Sequence, residues 1–217
     1  MAIYNINVKE AKLLTAKDGI ITQKYIAGLP GGRALDVTGY PIDVIYAGTP
    51  VIKKDGTYKP FPLTQDGDLL PTAAVSAQTA GSAIVGTVYE GVTATTAGAV
   101  KCALADKTIV YLAGEAATGT ASAEKTYYTK DTDNKTFVGK YDEDGNPIYV
   151  LGSLPANWSY AGINYKSILK TKPTAAVMTE GQVNVAALYF SMTSILSAFK
   201  SACPLIEFIE DEVATAE

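Results

Sequence analysis

Val51-Ile52-Lys53-Lys54-Asp55-Gly56-Thr57-Tyr58-Lys59-Pro60-Phe61 reads as two β-prone runs joined by an Asp-Gly step. Such a step predicts a tight hairpin, because glycine accepts the positive φ that the turn needs. Just before it, Tyr40-Pro41-Ile42-Asp43-Val44-Ile45-Tyr46 reads as a strand and Ala47-Gly48-Thr49-Pro50 as its exit turn. The same texture extends outward. Residues 65–82 read as loop, Ala83-Ile84-Val85-Gly86-Thr87-Val88-Tyr89 as a buried strand, and Thr108-Ile109-Val110-Tyr111-Leu112 as another. Further on, Tyr160-Ala161-Gly162-Ile163-Asn164-Tyr165, Thr174-Ala175-Ala176-Val177-Met178 and Gly181-Gln182-Val183-Asn184-Val185 continue the pattern. The expected fold class is mainly β with minor α.

Composition supports a folded chain. Of 217 residues, 47% are hydrophobic and 18% charged, enough apolar surface for a core and too few charges for disorder. The net charge of −4 comes without a basic run or aromatics interleaved with basic residues, so nucleic acid is not an expected partner. No apolar run reaches the ~20 residues of a membrane-spanning helix, and Met1-Ala2-Ile3-Tyr4-Asn5 lacks a signal-peptide pattern. No membrane partner is expected either. Histidine is absent, which removes the commonest general base and metal ligand. Cys102 and Cys203 fit no metal or redox spacing and read as small buried hydrophobes.

The chain divides into four stretches. Residues 1–35 read as an N-terminal arm and linker, with alternation at Ile3-Tyr4-Asn5-Ile6-Asn7-Val8 and punctuation at Gly28-Leu29-Pro30-Gly31-Gly32. Residues 36–117 form the first part of a main β domain and residues 153–217 the second. Between them, residues 118–152 read as an inserted β-meander with turns at Asp131-Thr132-Asp133-Asn134 and Asp142-Glu143-Asp144-Gly145-Asn146. One helix is expected near residues 191–203. Ser191 is a good N-cap, Met192, Ile195, Leu196 and Phe199 share one face, and Pro204 stops it. Leu205-Ile206-Glu207-Phe208-Ile209 reads as a closing strand ahead of an acidic tail.

Candidate sites are few. Asp131, Asp133, Asp142, Glu143 and Asp144 offer oxygen ligands of the kind calcium takes, but their spacing is not that of an EF-hand loop, and Asp, Asn and Gly are what hairpin turns use anyway. No metal site is therefore expected. Gly28-Leu29-Pro30-Gly31-Gly32 lacks the Lys-Ser or Lys-Thr of a phosphate loop, and no Gly-x-Ser-x-Gly or Ser-x-x-Lys motif sits at a strand-to-helix turn. No catalytic residue, cofactor or enzymatic activity is expected. The 14 tyrosines are more informative, since tyrosine supplies contact area with a polar tip. Tyr58, Phe61, Tyr89 and Tyr165 are the candidates for an oligomer interface.

Gly181-Gln182-Val183-Asn184-Val185-Ala186-Ala187-Leu188, followed by one helix and a terminal strand, resembles the end of the head decoration proteins of tailed phages, typified by that of phage lambda. In that family, and in the related phage head fiber proteins, a Gly-x-Val-Asn-x-x-Ala-Leu run precedes a short closing helix. Gly48-Thr49-Pro50-Val51 with Gly56-Thr57-Tyr58-Lys59-Pro60-Phe61 is similar to the family's opening hairpin, and Ala161-Gly162-Ile163 to its Gly-Ile strand. The resemblance spans residues 40–112 and 160–209, and residues 118–152 depart from it. It implies a small β-barrel or β-sandwich-like domain, a symmetric homo-oligomer with trimers favoured, and docking on the major capsid protein through the N-terminal arm. Such a protein, of phage or prophage origin, is made in the bacterial host cytoplasm and sits on the capsid exterior of the virion.

Two functional expectations follow. In the first, the chain is a non-enzymatic capsid decoration or head fiber protein whose arm residues Ile3, Tyr4, Ile6 and Val8 add a strand to a neighbour's sheet edge. In the second, it is a carbohydrate-binding or host-surface adhesion module, with Tyr127, Tyr128, Phe137, Tyr141 and Tyr149 as the glycan-facing surface.

Overall fold

In the computed structural model, which describes residues 17–210, Asp55 and Gly56 both take positive φ (48° and 81°) and join two antiparallel strands with Val51 opposite Pro60 and Lys54 opposite Thr57. This is the backbone a two-residue hairpin turn requires. The described chain is mainly β, in two units: one made of residues up to Thr64 and from Tyr149 onward, the other of Gln65–Ile148.

In chain order the first unit begins with α1 (Asp18–Ile21), β1 (Lys24–Gly28), β2 (Arg33–Ala34), β3 (Val44–Ile45), β4 (Pro50–Lys54), β5 (Thr57–Pro60) and β6 (Leu63–Gln65). The second holds β7 (Gly67–Ser76), β8 (Tyr89–Val92), β9 (Val100–Ala103), β10 (Ile109–Leu112) and β11 (Tyr127–Gly139). The chain then returns through β12 (Tyr149–Leu151), β13 (Ser159–Asn164), β14 (Ile168–Leu169), β15 (Thr174–Ala175), β16 (Val177–Asn184), a 3₁₀ turn (Val185–Ala187), α2 (Leu196–Ala202) and β17 (Ile206–Ile209).

The first unit is organised on a sheet in the order β1-β16-β13-β4-β5, with β17 pairing β16 in parallel. Two glycines make this packing feasible. A Cβ on Gly162 (φ 142°) would collide with the Met178 carbonyl oxygen, and one on Gly181 (φ 154°) with the Lys24 carbonyl oxygen. The core beneath holds Ile52, Phe61, Ile163, Met178, Val183 and Phe199, and burying each such side chain contributes roughly 1.5–3 kcal/mol. Phe61 stacks on Tyr160 at 5.8 Å, and Tyr160 meets the Phe199 ring edge at 5.0 Å.

The second unit is a closed barrel in the order β10-β8-β11-β7-β9, sealed by parallel pairing of β7 with β9 at Thr72 and Ala103. Ala73, Cys102 and Leu112 form its interior cluster, with Tyr89 and Tyr128 packed against them. Tyr127, the residue before Tyr128 on β11, points to the opposite face and packs there with Val88 and Ala121. Pro71 lies within β7, where it cannot donate to the ladder, and the register on β11 breaks there, jumping from Asp131 to Lys135.

Several expectations are corrected. The inserted unit runs over Gln65–Ile148, not residues 118–152, because β7, β8, β9 and β10 close around β11. The closed barrel is therefore in the insertion. Residues 65–82 are not all loop but contain the ten-residue β7. Ala83–Tyr89 does not form a buried strand: Gly86 turns at φ 81°, Val85 is 77% exposed, and the strand starts only at Tyr89. Asp131-Thr132-Asp133-Asn134 is a bulge within β11 rather than a reversal. Of Tyr40–Tyr46 only Val44–Ile45 is strand. The helix spans Leu196–Ala202 and has no side-chain cap, since Ser191 Oγ accepts from Thr193 N in a turn that precedes it. The expected linker up to residue 35 is built into the first unit from residue 17: β1 pairs β16, and Ile21 is fully buried. Cys102 and Cys203 are buried free thiols, as read.

Candidate functional site

A groove of about 300 Å³ opens on the first unit, its apolar lining including Tyr40, Pro41, Pro60, Pro62, Pro155 and Trp158. Local sequence sets each wall. Leu35 bridges to Tyr58 in parallel and Asp36 N donates to the Tyr58 carbonyl at 2.8 Å, which draws the Asp36 segment alongside β5. There the Asp36 carboxylate meets Lys59 Nζ at 2.7 Å. On the other side, Trp158 N donates to the Pro155 carbonyl at 3.1 Å, and Asn157 takes a positive φ of 65° to close that turn. Lys59 Nζ lies 5.5 Å from the centre of the Trp158 ring.

The electrostatics follow from these contacts. The hydrogen bond from Lys59, aided by the Thr38 amide on Asp36 Oδ1 at 3.0 Å, holds the Asp36 carboxyl well below the usual carboxylate range. A carboxylate so strongly acidic is a poor general base near neutral pH. Burial pushes the Tyr40 phenol up, so it stays protonated and serves the groove as an apolar wall. The ion pair is about one-third exposed on each side (33% and 37%), so it adds little stability. Its consequence is chemical: a carboxylate and an ammonium with unused acceptor and donor capacity stand side by side at an indole face. The arrangement suits binding.

No protein-family model, curated protein or solved structure matches the chain.

The residues singled out from sequence are scattered. Ile3, Tyr4, Ile6 and Val8 lie outside the described residues. Phe61 is fully buried in the first core and is not an interface residue. Tyr58 is partly buried with the Arg33 guanidinium 5.3 Å from its ring centre, Tyr165 is partly buried 4.8 Å from the Tyr25 ring, and Tyr89 lines the barrel interior with Lys130 Nζ 4.3 Å from its ring. The five glycan-facing aromatics do not form one surface. Tyr127 is buried against Val88 and Ala121 on the outer face of β11 and its hydroxyl accepts from Ser122 N, whereas Tyr128 packs on the barrel interior. Tyr149 belongs to the first unit, which leaves Phe137 and Tyr141 exposed on the second.

The acidic loops use their carboxylates internally. Asp131 Oδ1 accepts from Asp133 N and Asn134 N, and Asp142 Oδ1 accepts from Asp144 N and Asn146 N. Asn134 and Asn146 are the leading causes that lower the two carboxyl pKa values. Among the described residues, no three His, Cys, Asp or Glu side chains converge as a metal-holding group, and no helix is long and apolar enough to cross a membrane.

Exposed large apolar side chains occur on strands and loops alike among the described residues. On β1, Tyr25 and Ile26 are 45% and 51% exposed at the edge of the sheet. In the barrel unit, Leu69 and Phe137 face one another across β7 and β11, 64% and 39% exposed. Sequence reasoning missed the groove because Asp36, Lys59 and Trp158 share no motif. The one available signal was that the chain has a single tryptophan.

Proposed function

We infer that the chain is a non-enzymatic phage or prophage virion protein, a capsid decoration or head fiber protein that docks on the assembled shell as a homo-oligomer. The observation that carries this reading is the way residues 181–188 are used. Gly181 admits the close approach of β1, Val183 is fully buried, and Asn184 Oδ1 accepts from Ala186 N at 3.1 Å to start the 3₁₀ turn. The chain then passes through α2 and returns as β17 beside the same strand. The family-like run is thus one closed strand–turn–helix–strand element, in the order the resemblance implies.

The outermost place of β1 among the described strands of its sheet supports assembly. An edge strand with half-exposed Tyr25 and Ile26 is a surface that natural proteins cover or pair. A protein that binds only the assembled shell stabilises it by mass action, with no chemistry required.

The test is light scattering followed by co-sedimentation with expanded capsids of the source phage. A trimer that co-sediments, and ceases to when residues 1–16 are removed, is the expected result. A monomer that ignores capsids overturns the reading.

A further inference from the structure

We propose that the Trp158 groove of the first unit is a glycan-binding site that takes one neutral hexopyranose residue. This goes beyond capsid docking and moves sugar recognition away from the aromatics of the inserted barrel.

Size, shape and charge point to this ligand. A volume of about 300 Å³ is at the small end of ligand pockets, enough for a single sugar ring and little more. A pyranose has an apolar C–H face and a rim of adjacent hydroxyls that both donate and accept. The Trp158 indole and the neighbouring prolines offer the apolar face its counterpart. At the rim, Asp36 and Lys59 stand 2.7 Å apart, an acceptor next to a donor, which is the pairing two vicinal hydroxyls need. The pair is also neutral as a unit. An anionic ligand would face the Asp36 carboxylate and a cationic one the Lys59 ammonium, so an uncharged ligand is favoured over either.

The site is organised before any ligand arrives. Asp36 is fixed by its own backbone bond to Tyr58, by the Thr38 amide and by Lys59. Lys59 is carried on β5, and the Trp158 turn is closed by the bond to Pro155. Little ordering entropy remains to oppose binding.

Trp158 is the sole tryptophan, so its fluorescence in the full chain reports on this groove. The protein is titrated with glucose, galactose, mannose and N-acetylglucosamine. The expected result is a saturable emission change with at least one of them, and affinity weakened about tenfold or more in Asp36→Ala and Lys59→Met. If Asp36→Ala loses its fold by circular dichroism, Lys59→Met carries the comparison. By calorimetry, Trp158→Phe should retain part of the binding and Trp158→Ala lose it. No saturable response to any of the four sugars overturns the proposal. So does a response only to a polyproline peptide, or sugar binding unchanged in Lys59→Met. Capsid co-sedimentation is read separately, so failure here leaves that reading standing and the reverse also holds.

Discussion

Asp18 and Ser167 stand 149 positions apart, yet the Asp18 carboxylate accepts from the Ser167 backbone N–H at 2.8 Å and from its hydroxyl at 2.6 Å. The same hydroxyl accepts from Ala47 N at 3.0 Å, so one buried bracket ties the start of the described chain to two distant loops. Hydrogen bonds to a charged group are worth roughly 1.5–3 kcal/mol, and removal of the acceptor strands two buried donors. Asp18→Ala is expected to destabilise the first unit by about 3 kcal/mol, measured by urea denaturation. A cost within experimental error would mean that the bracket does not hold this segment in place.

Gly181 tests the packing of β1 on β16. Gly181→Ala forces a Cβ against the Lys24 carbonyl at a backbone conformation that L-residues rarely adopt, and is expected to cost about 3 kcal/mol. Gly145→Ala is the control: φ is also positive, at 80°, but nothing lies within 4 Å. Its cost should be about 1 kcal/mol. Equal thermal shifts for the two would contradict the close approach of the strands.

Among the described residues, Asp36 is one of four carboxyls, with Asp106, Asp131 and Asp142, through which acid should act. Its carboxyl is held below the ordinary value of 3.8, so its contribution to stability is present above that pH and is lost as pH falls further, toward the depressed folded value. Because the pair adds little stability, Asp36→Asn should lessen the steepness of the acid limb of a melting-temperature profile only slightly, and leave its slope above pH ~5 unchanged. High salt should weaken the difference, because the pair is exposed.

The inserted unit should be separable. Asp66 N donates to the Ile148 carbonyl at 2.8 Å, so the two crossing strands are already adjacent where the barrel begins and ends. Replacing residues 66–147 with an Asn-Gly turn should leave a first unit that unfolds cooperatively. Deleting residues 118–152 instead removes β11 from the barrel and β12 from the first unit, and should lose cooperative unfolding in both. Calorimetry of the two deletions distinguishes these outcomes.

What the amino-acid sequence determined by itself was local. The Asp55-Gly56 turn, the strands at Ile109–Leu112 and Ser159–Asn164, the closing strand after Pro204 and the buried face of Met192, Ile195 and Phe199 were legible because turn chemistry and side-chain periodicity act over a few residues. Tertiary structure decided the rest. That β7 is a long strand despite Pro71, that Asp131–Asn134 bulges instead of turning, and that Tyr128 faces the interior all depend on the closing partners of the barrel, which lie tens of residues away. The groove is the same case. Asp36, Lys59 and Trp158 meet only because the Asp36 segment runs alongside β5 and the Trp158 turn comes to it, and no spacing in the chain encodes contacts between segments so far apart.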